Sequence, residues 1–291
     1  ASAKPEIDTT DRTGSVSISN GSAYTNSTSV TISLSASDSS GVVAYCISSS
    51  SSTPAASSTC WTPIPLTLSY AGTVPYTLSS SSNGLKRIYV WYKDASGNIS
   101  RRYNASITLD TTAPTNGTLK AVAGDMQVSL SWSGCSDSSG IGSYDVYMDT
   151  KGYPASCGTG TMIYSGTSSS YIHTGLLNGV TYYYRMCATD KAGNKSSGAT
   201  VSATPGNATP TGSVVINNGA AATNSTSVTL SITATDTGGV SQMCISNTTS
   251  CSAWEPYVTS KSWTLPSGDG TKTVYVWFKD SMGATNSNPY S

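Results

Sequence analysis

Two stretches of the chain repeat one another without a gap at a separation of 198 residues. They are GSVSISNGSAYTNSTSVTISLSASDSSGVVAYCIS at 14–48 and GSVVINNGAAATNSTSVTLSITATDTGGVSQMCIS at 212–246. A second block, IYVWYKDASG at 88–97, matches VYVWFKDSMG at 274–283. Self-similarity of this length constrains the architecture before any element is assigned: two copies of one domain flank a different one. The 291 residues suit two or three domains.

Each copy reads as β structure. SVTISLSAS and SVTLSITAT alternate apolar and polar residues and are rich in β-branched side chains. Val30, Ile32, Leu34 and Ala36 then share one core-facing side, and Val228, Leu230, Ile232 and Ala234 share its equivalent. Gly, Asn, Asp and Ser clusters interrupt these runs about every 8 to 12 residues, and no window keeps a helical period. The expected fold class is therefore all-β, with three tandem sandwiches in an extended rod. Pro-containing linkers, DTTAPTNG at 110–117 and TPGNATPTG at 204–212, set the boundaries. The expected organisation is an N-terminal strand at 1–8, then domains at 9–110, 111–205 and 206–291.

The middle segment, roughly 118–205, resembles a fibronectin type III domain. The resemblance rests on Trp132 in VSLSW, on SYDVYM (143–148), and on TGLLNGVTYYYRMCATDKAG (174–193). In the last stretch Leu176, Gly179 and Tyr182 stand where that family has its tyrosine corner. The flanking copies resemble bacterial immunoglobulin-like repeats through TNSTSVT, the following Asp, Gly-Val and Cys, and the YVW(Y/F)KD block. Such repeats, joined by DTTAP-type linkers, occur in long surface and secreted proteins of Gram-negative bacteria. The resemblance implies immunoglobulin-like and fibronectin type III sandwiches outside the cell; it does not imply an activity.

Composition narrows the function. The chain carries 15 Lys and Arg against 15 Asp and Glu, and charged residues make up only 10%. An average domain has about 25%. No basic surface is available for nucleic acid. No apolar run approaches the roughly 18 residues of a membrane span, and no signal sequence is present, so an exported chain is expected to have lost its signal. The 18 Tyr and 6 Trp against a single Phe suit half-exposed strands in extracellular sandwiches.

Seven cysteines lie along the chain without metal-ligand spacing. Cys46 with Cys60 and Cys244 with Cys251 occupy equivalent places in the two copies and read as disulfides of an oxidising compartment. For the third pair the preferred assignment is Cys157 with Cys187, which leaves Cys135 as a free thiol; Cys135 with Cys157 competes.

Catalytic chemistry finds little support. His173 is the single histidine, and no G-x-S-x-G elbow exists to partner it. The acidic residues Asp38, Asp94, Asp110, Asp137, Asp190, Asp236 and Asp280 sit mostly in turn contexts. The chain is expected to be non-catalytic and to need no metal. Ca²⁺ at the domain junctions is the one cofactor left open, with Asp110 and Asp94 as candidate ligands.

The two ends raise a different function. IDTTDRT from Ile7 aligns with LDTTAPT from Leu109, which closes the first domain. In the third copy the equivalents of Ile107 and Leu109 fall past residue 291, so this domain is expected to lack its last strand. Donation of Lys4, Pro5, Glu6 and Ile7 to the next subunit's core of Val228, Leu230, Ile232 and Val276 would build a head-to-tail homopolymer. The expected function is thus a surface-fibre subunit. The alternatives are an adhesin stalk or glycan-binding module using the loops near Trp61 or Trp254, with surface glycans or other cell-surface components as partners, or a spacer fragment of a larger secreted protein.

Overall fold

The structure is a computed structural model and describes residues 13–291. The donor-strand residues Lys4, Pro5, Glu6 and Ile7 lie outside the described residues. The chain divides into two compact units. One holds the described part of 1–116 with 134–143 and 187–197; the other holds 117–133, 144–186 and 198–291.

The first repeat contains β1 (Thr13–Ile18), β2 (Tyr24–Thr25), β3 (Ser29–Ser48), β4 (Trp61–Thr77), β5 (Gly84–Asp94) and β6 (Tyr103–Leu109). Their order is β1-β3-β5-β6-β2, with β4 on β3. Strand β3 runs for 20 residues and shifts register between Ser37 and Val42 and again between Val42 and Ala44. These irregularities bend it, so that its two halves serve both faces of one core. The alternation in SVTISLSAS places Val30, Ile32, Leu34 and Ala36 inside, with Ile88, Val90, Ile107 and Leu109 packed against them.

The middle sandwich contains β7 (Thr118–Gly124), β8 (Gln127–Ser133), β9 (Ile141–Asp149), β10 (Thr161–Gly166), β11 (Ser170–Thr174), β12 (Tyr182–Asp190) and β13 (Ala199–Ala203). Its sheets run β11-β8-β7 and β10-β9-β12-β13. Trp132 sits 5.7 Å from Tyr144 and 5.5 Å from Tyr164, ring centre to ring centre. At the corner before β12, the Leu177 N–H donates to the Tyr182 hydroxyl at 3.0 Å, while Leu176 is buried and Gly179 takes φ +80°.

The third repeat contains β14 (Thr211–Ile216), β15 (Ser227–Thr235), β16 (Val240–Ser246), β17 (Glu255–Pro256), β18 (Ser260–Thr264) and β19 (Tyr275–Asp280). Here the sheets are separate: β14-β15-β18 and β17-β16-β19. The long strand of the first repeat is cut in two at Asp236–Gly239, where the Gly239 N–H closes a turn on the Asp236 carbonyl at 3.2 Å. Val228, Leu230, Ile232 and Val276 all lie in its core. No helix among the described residues is long and apolar enough to cross a membrane.

Candidate functional site

In the first repeat the closing strand β6 is held on two sides. It pairs antiparallel with β5 from Gly84↔Leu109 to Val90↔Tyr103. It pairs parallel with β2, where the Thr108 N–H donates to the Ala23 carbonyl and the Asp110 N–H to the Thr25 carbonyl, both at 2.9 Å. Leu109 is thereby sealed into the core. Among the described residues the third repeat repeats the first rung, with Tyr290 on Val276 as Tyr103 is on Val90. Tyr290 also packs at a tilt 5.7 Å from Phe278, as Tyr103 packs at a tilt 5.8 Å from Tyr92. Past that rung, among the described residues, a groove of about 670 Å³ opens between Ile216, Ala220–Thr226, Leu265, Pro266 and Gly268–Lys272.

The rim of this groove has the shape of the filled slot. Thr25 Oγ donates to the Ser27 carbonyl at 3.2 Å and accepts from the Ser27 N–H at 3.2 Å. Thr223 and Ser225 repeat both bonds at 3.2 Å. Leu78 hangs on the Thr28 carbonyl at 2.9 Å and Leu265 on the Thr226 carbonyl at 2.8 Å. Gly270 retains the left-handed backbone of Gly84, φ +109° against +123°. What changes is solvent access: Ile18 is 2% exposed, whereas its counterpart Ile216 is half-buried.

A second cluster joins Asp110, Asp137 and Asp190, each offering an oxygen within 4.8 Å of the others. The expected pairing of Asp110 with Asp94 is corrected. Asp94 accepts from the Asn98 N–H at 2.7 Å and from its side-chain amide at 2.8 Å, so it holds its own turn. The residues beside Asp110 come from SDSSG and TDKAG of the middle segment. Burial alone would raise the Asp110 pKa. The Thr112 N–H, the Ser138 and Ser139 hydroxyls and the shared contact with Asp137 instead hold it below the ordinary carboxylate value. Three carboxylates and no thiol or imidazole suit a hard cation such as Ca²⁺, and Asp110, Asp137 and Asp190 are the residues that would hold one.

The cysteines fall as follows. Cys46 is bonded to Cys60 and Cys244 to Cys251, and Cys157 and Cys187 are also in disulfide linkage. Cys135 is free, which removes the Cys135–Cys157 alternative; its thiol donates to the Asn116 carbonyl at 3.2 Å, and burial raises its pKa. Beside each flanking disulfide a lysine caps a tryptophan. Lys93 stands 4.2 Å over Trp61 and Lys279 4.1 Å over Trp254. The Trp61 indole N–H is also spent on the Ala55 carbonyl at 2.9 Å. These rings are engaged on one face by the protein itself. Sequence reasoning missed both lysines, although their recurrence at equivalent positions of the two copies was the available signal.

His173 lies among tyrosines. Its Nδ1 is 3.2 Å from the Tyr184 hydroxyl, and its ring packs edge-on against Tyr182 and Tyr184. Burial lowers its pKa, which keeps it neutral at pH 7. This is the environment of a packed ring, with a phenol rather than an activated nucleophile beside it.

No family model matches the chain. A stretch of 115 residues is 34% identical to Exoglucanase B of Cellulomonas fimi, covering 36% of this chain and 10% of that protein. Another of 140 residues is 30% identical to Amylopullulanase of Thermoanaerobacter thermohydrosulfuricus, covering 46% of this chain and 9% of that protein. The chain thus spans about a tenth of these curated relatives. Fibronectin(III)-like modules of Clostridium thermocellum CbhA are similar in structure at a TM-score of 0.38 and 14% identity, over 66% of this chain and 94% of theirs.

Proposed function

We propose that the chain is an extracellular structural protein whose copies join head to tail, the third repeat accepting a β-strand from the N-terminal segment of another copy. The groove carries this reading. It lies where the first repeat seats Thr108–Asp110, and its rim already has the geometry of the filled slot. Residues 7–10, IDTT, repeat the LDTT of 109–112 that does the filling. Strand addition supplies main-chain hydrogen bonds and buries an apolar plug together. Because donor and acceptor are different surfaces, the contact propagates instead of closing. The partner is therefore a second copy of this chain. The disulfides favour an oxidising compartment outside the cell.

The test is sedimentation and electron microscopy of the 291-residue chain across a concentration series. Filaments that grow with concentration are expected, and Ile7→Asp is expected to abolish them while leaving the thermal unfolding of the sandwiches unchanged. Filaments indifferent to Ile7→Asp would refute strand donation.

A coarser reading, a structural or spacer segment of a larger secreted protein, is favoured by the short matches to the exoglucanase and the amylopullulanase. Chains that stay monomeric at every concentration would select it. The capped tryptophans give the glycan-binding alternative less support, since Lys93 and Lys279 already occupy one ring face each.

A further inference from the structure

Resting on the strand-acceptor reading, we infer the register of the joint and the two positions at which it is weaker than its intramolecular counterpart. Ile7 of a second copy takes the place of Leu109. This sets Pro5 at the Ile107 position, Glu6 at Thr108 and Asp8 at Asp110. The Glu6 and Asp8 N–H groups then face the carbonyls of Ala221 and Thr223, as Thr108 and Asp110 face Ala23 and Thr25. On the other side Ile7 stands opposite Gly270 and Glu6 opposite Thr271, as Leu109 stands opposite Gly84 and Thr108 opposite Leu85. Ile7 and Leu109 are isomers, so the plug has the right volume. It covers Ile216, which is half-buried without it.

The first weak point is Pro5. The N–H groups of Thr108 and Asp110 point to the β2 side, so by alternation those of Ile107 and Leu109 point to β5. Pro5 stands at the Ile107 position and has no N–H, so one rung of the ladder is forfeited.

The second is Asp269. In the first repeat Asn83 clasps the residues after Leu109. Its amide donates to Asp110 at 3.2 Å and to the Thr112 hydroxyl at 2.8 Å. Its oxygen accepts from the Thr111 N–H at 3.0 Å and from the Thr111 hydroxyl at 2.9 Å. The donor keeps the same Asp-Thr-Thr sequence at 8–10, but the acceptor carries Asp269 where Asn83 stands. Asp269 accepts from Thr9 as Asn83 accepts from Thr111. It has nothing to donate to Asp8, and two carboxylates meet instead. The joint between copies is a weakened replica of the joint inside the first repeat.

Cysteine cross-linking of the full chain tests this. Thr108 and Leu85 form a non-hydrogen-bonded pair, a geometry with Cα atoms about 4.5 Å apart and within disulfide reach. Glu6→Cys combined with Thr271→Cys is expected to give a ladder of disulfide-linked multimers under mild oxidation. Asp8→Cys with Thr271→Cys, a two-residue slip, is expected to give none. Asp269→Asn and Pro5→Val are each expected to lower the concentration of half-assembly by about 2- to 10-fold, the effect of one restored hydrogen bond.

A ladder from the Asp8 pair overturns the register while leaving strand donation standing. A disulfide confined to monomers overturns the second copy as occupant. Absence of both ladders in filaments that still depend on Ile7 also overturns the register. Filaments indifferent to Ile7→Asp take down the underlying reading with it.

Discussion

The first and third repeats are one sequence pattern closed in two ways. Their cores use equivalent residues, Val30, Ile32 and Leu34 against Val228, Leu230 and Ile232. Their rims carry the same side-chain bonds. In the first, β6 fills the slot from Tyr103 to Leu109; among the described residues of the third, a single rung, Tyr290 on Val276, stands in its place. The comparison teaches that the rim of the slot is set by its own residues. The bonds between Thr223 and Ser225, and the left-handed turn at Gly270, are set locally by residue type and recur at the equivalent places of both repeats.

That comparison can be broken most directly by emptying the first slot. Leu109→Ala removes a fully buried side chain and is expected to cost the first repeat about 2–5 kcal/mol in urea unfolding. A cost below about 1 kcal/mol would mean the slot's occupant is not part of the core. A paired change sharpens the point. Ile18→Ala is expected to cost a similar 2–5 kcal/mol, while Ile216→Ala, at the groove wall, is expected to cost about half as much. In an Ile7→Asp background, where assembly does not fill the groove, addition of a peptide spanning residues 1–12 should narrow that gap, and equal costs there without peptide would contradict the exposed groove.

The disulfides come next in size. Loss of Cys46–Cys60 by double Ser substitution is expected to cost about 3 kcal/mol, and loss of Cys244–Cys251, which closes the shorter loop, about 2. Thermal unfolding under oxidising conditions measures both.

The smallest effect uses the middle sandwich as reference. Burial lowers the His173 pKa, so the folded state holds fewer protons there than the unfolded chain. Its contribution is complete above the unfolded value near 6.5. It declines as pH falls from there toward the folded value and is constant below it. Unfolding of His173→Gln followed from pH 7.5 to 5 should lose this slope, and an unchanged slope would assign the proton elsewhere.

Much of the fold is legible in the residues. Period-2 alternation marks the buried faces of β3 and β15, and the repeat itself marks β14 and β15 as counterparts of β1 and β3. The limits are as instructive. SDSSG at 37–41 has the composition of a turn, yet it lies within β3 as an irregularity, while TDTGG at 235–239 interrupts the equivalent run. Composition alone does not separate these outcomes, because the neighbouring strand decides: β4 runs alongside β3 through this region, and β17 and β18 leave a gap there. The acidic cluster was misplaced for a related reason. Asp94 is near Asp110 in sequence, but Asp137 and Asp190 reach it from turns 27 and 80 residues on. The signal was present in repeated form, since SDSSG occurs at both 37–41 and 136–140 and KDASG parallels TDKAG.

The unbroken β3 also matters for mechanics. Although β3 bends between Ser37 and Ala44, β4 pairs with both of its halves, so tension along it must break rungs on either side of the bend before the two halves separate. The third repeat divides the same run at Asp236–Gly239, so its two shorter strands, β15 and β16, can yield one after the other. Two domains built on one repeated pattern would then give way at different forces, with the third repeat acting as the more extensible element of the pair.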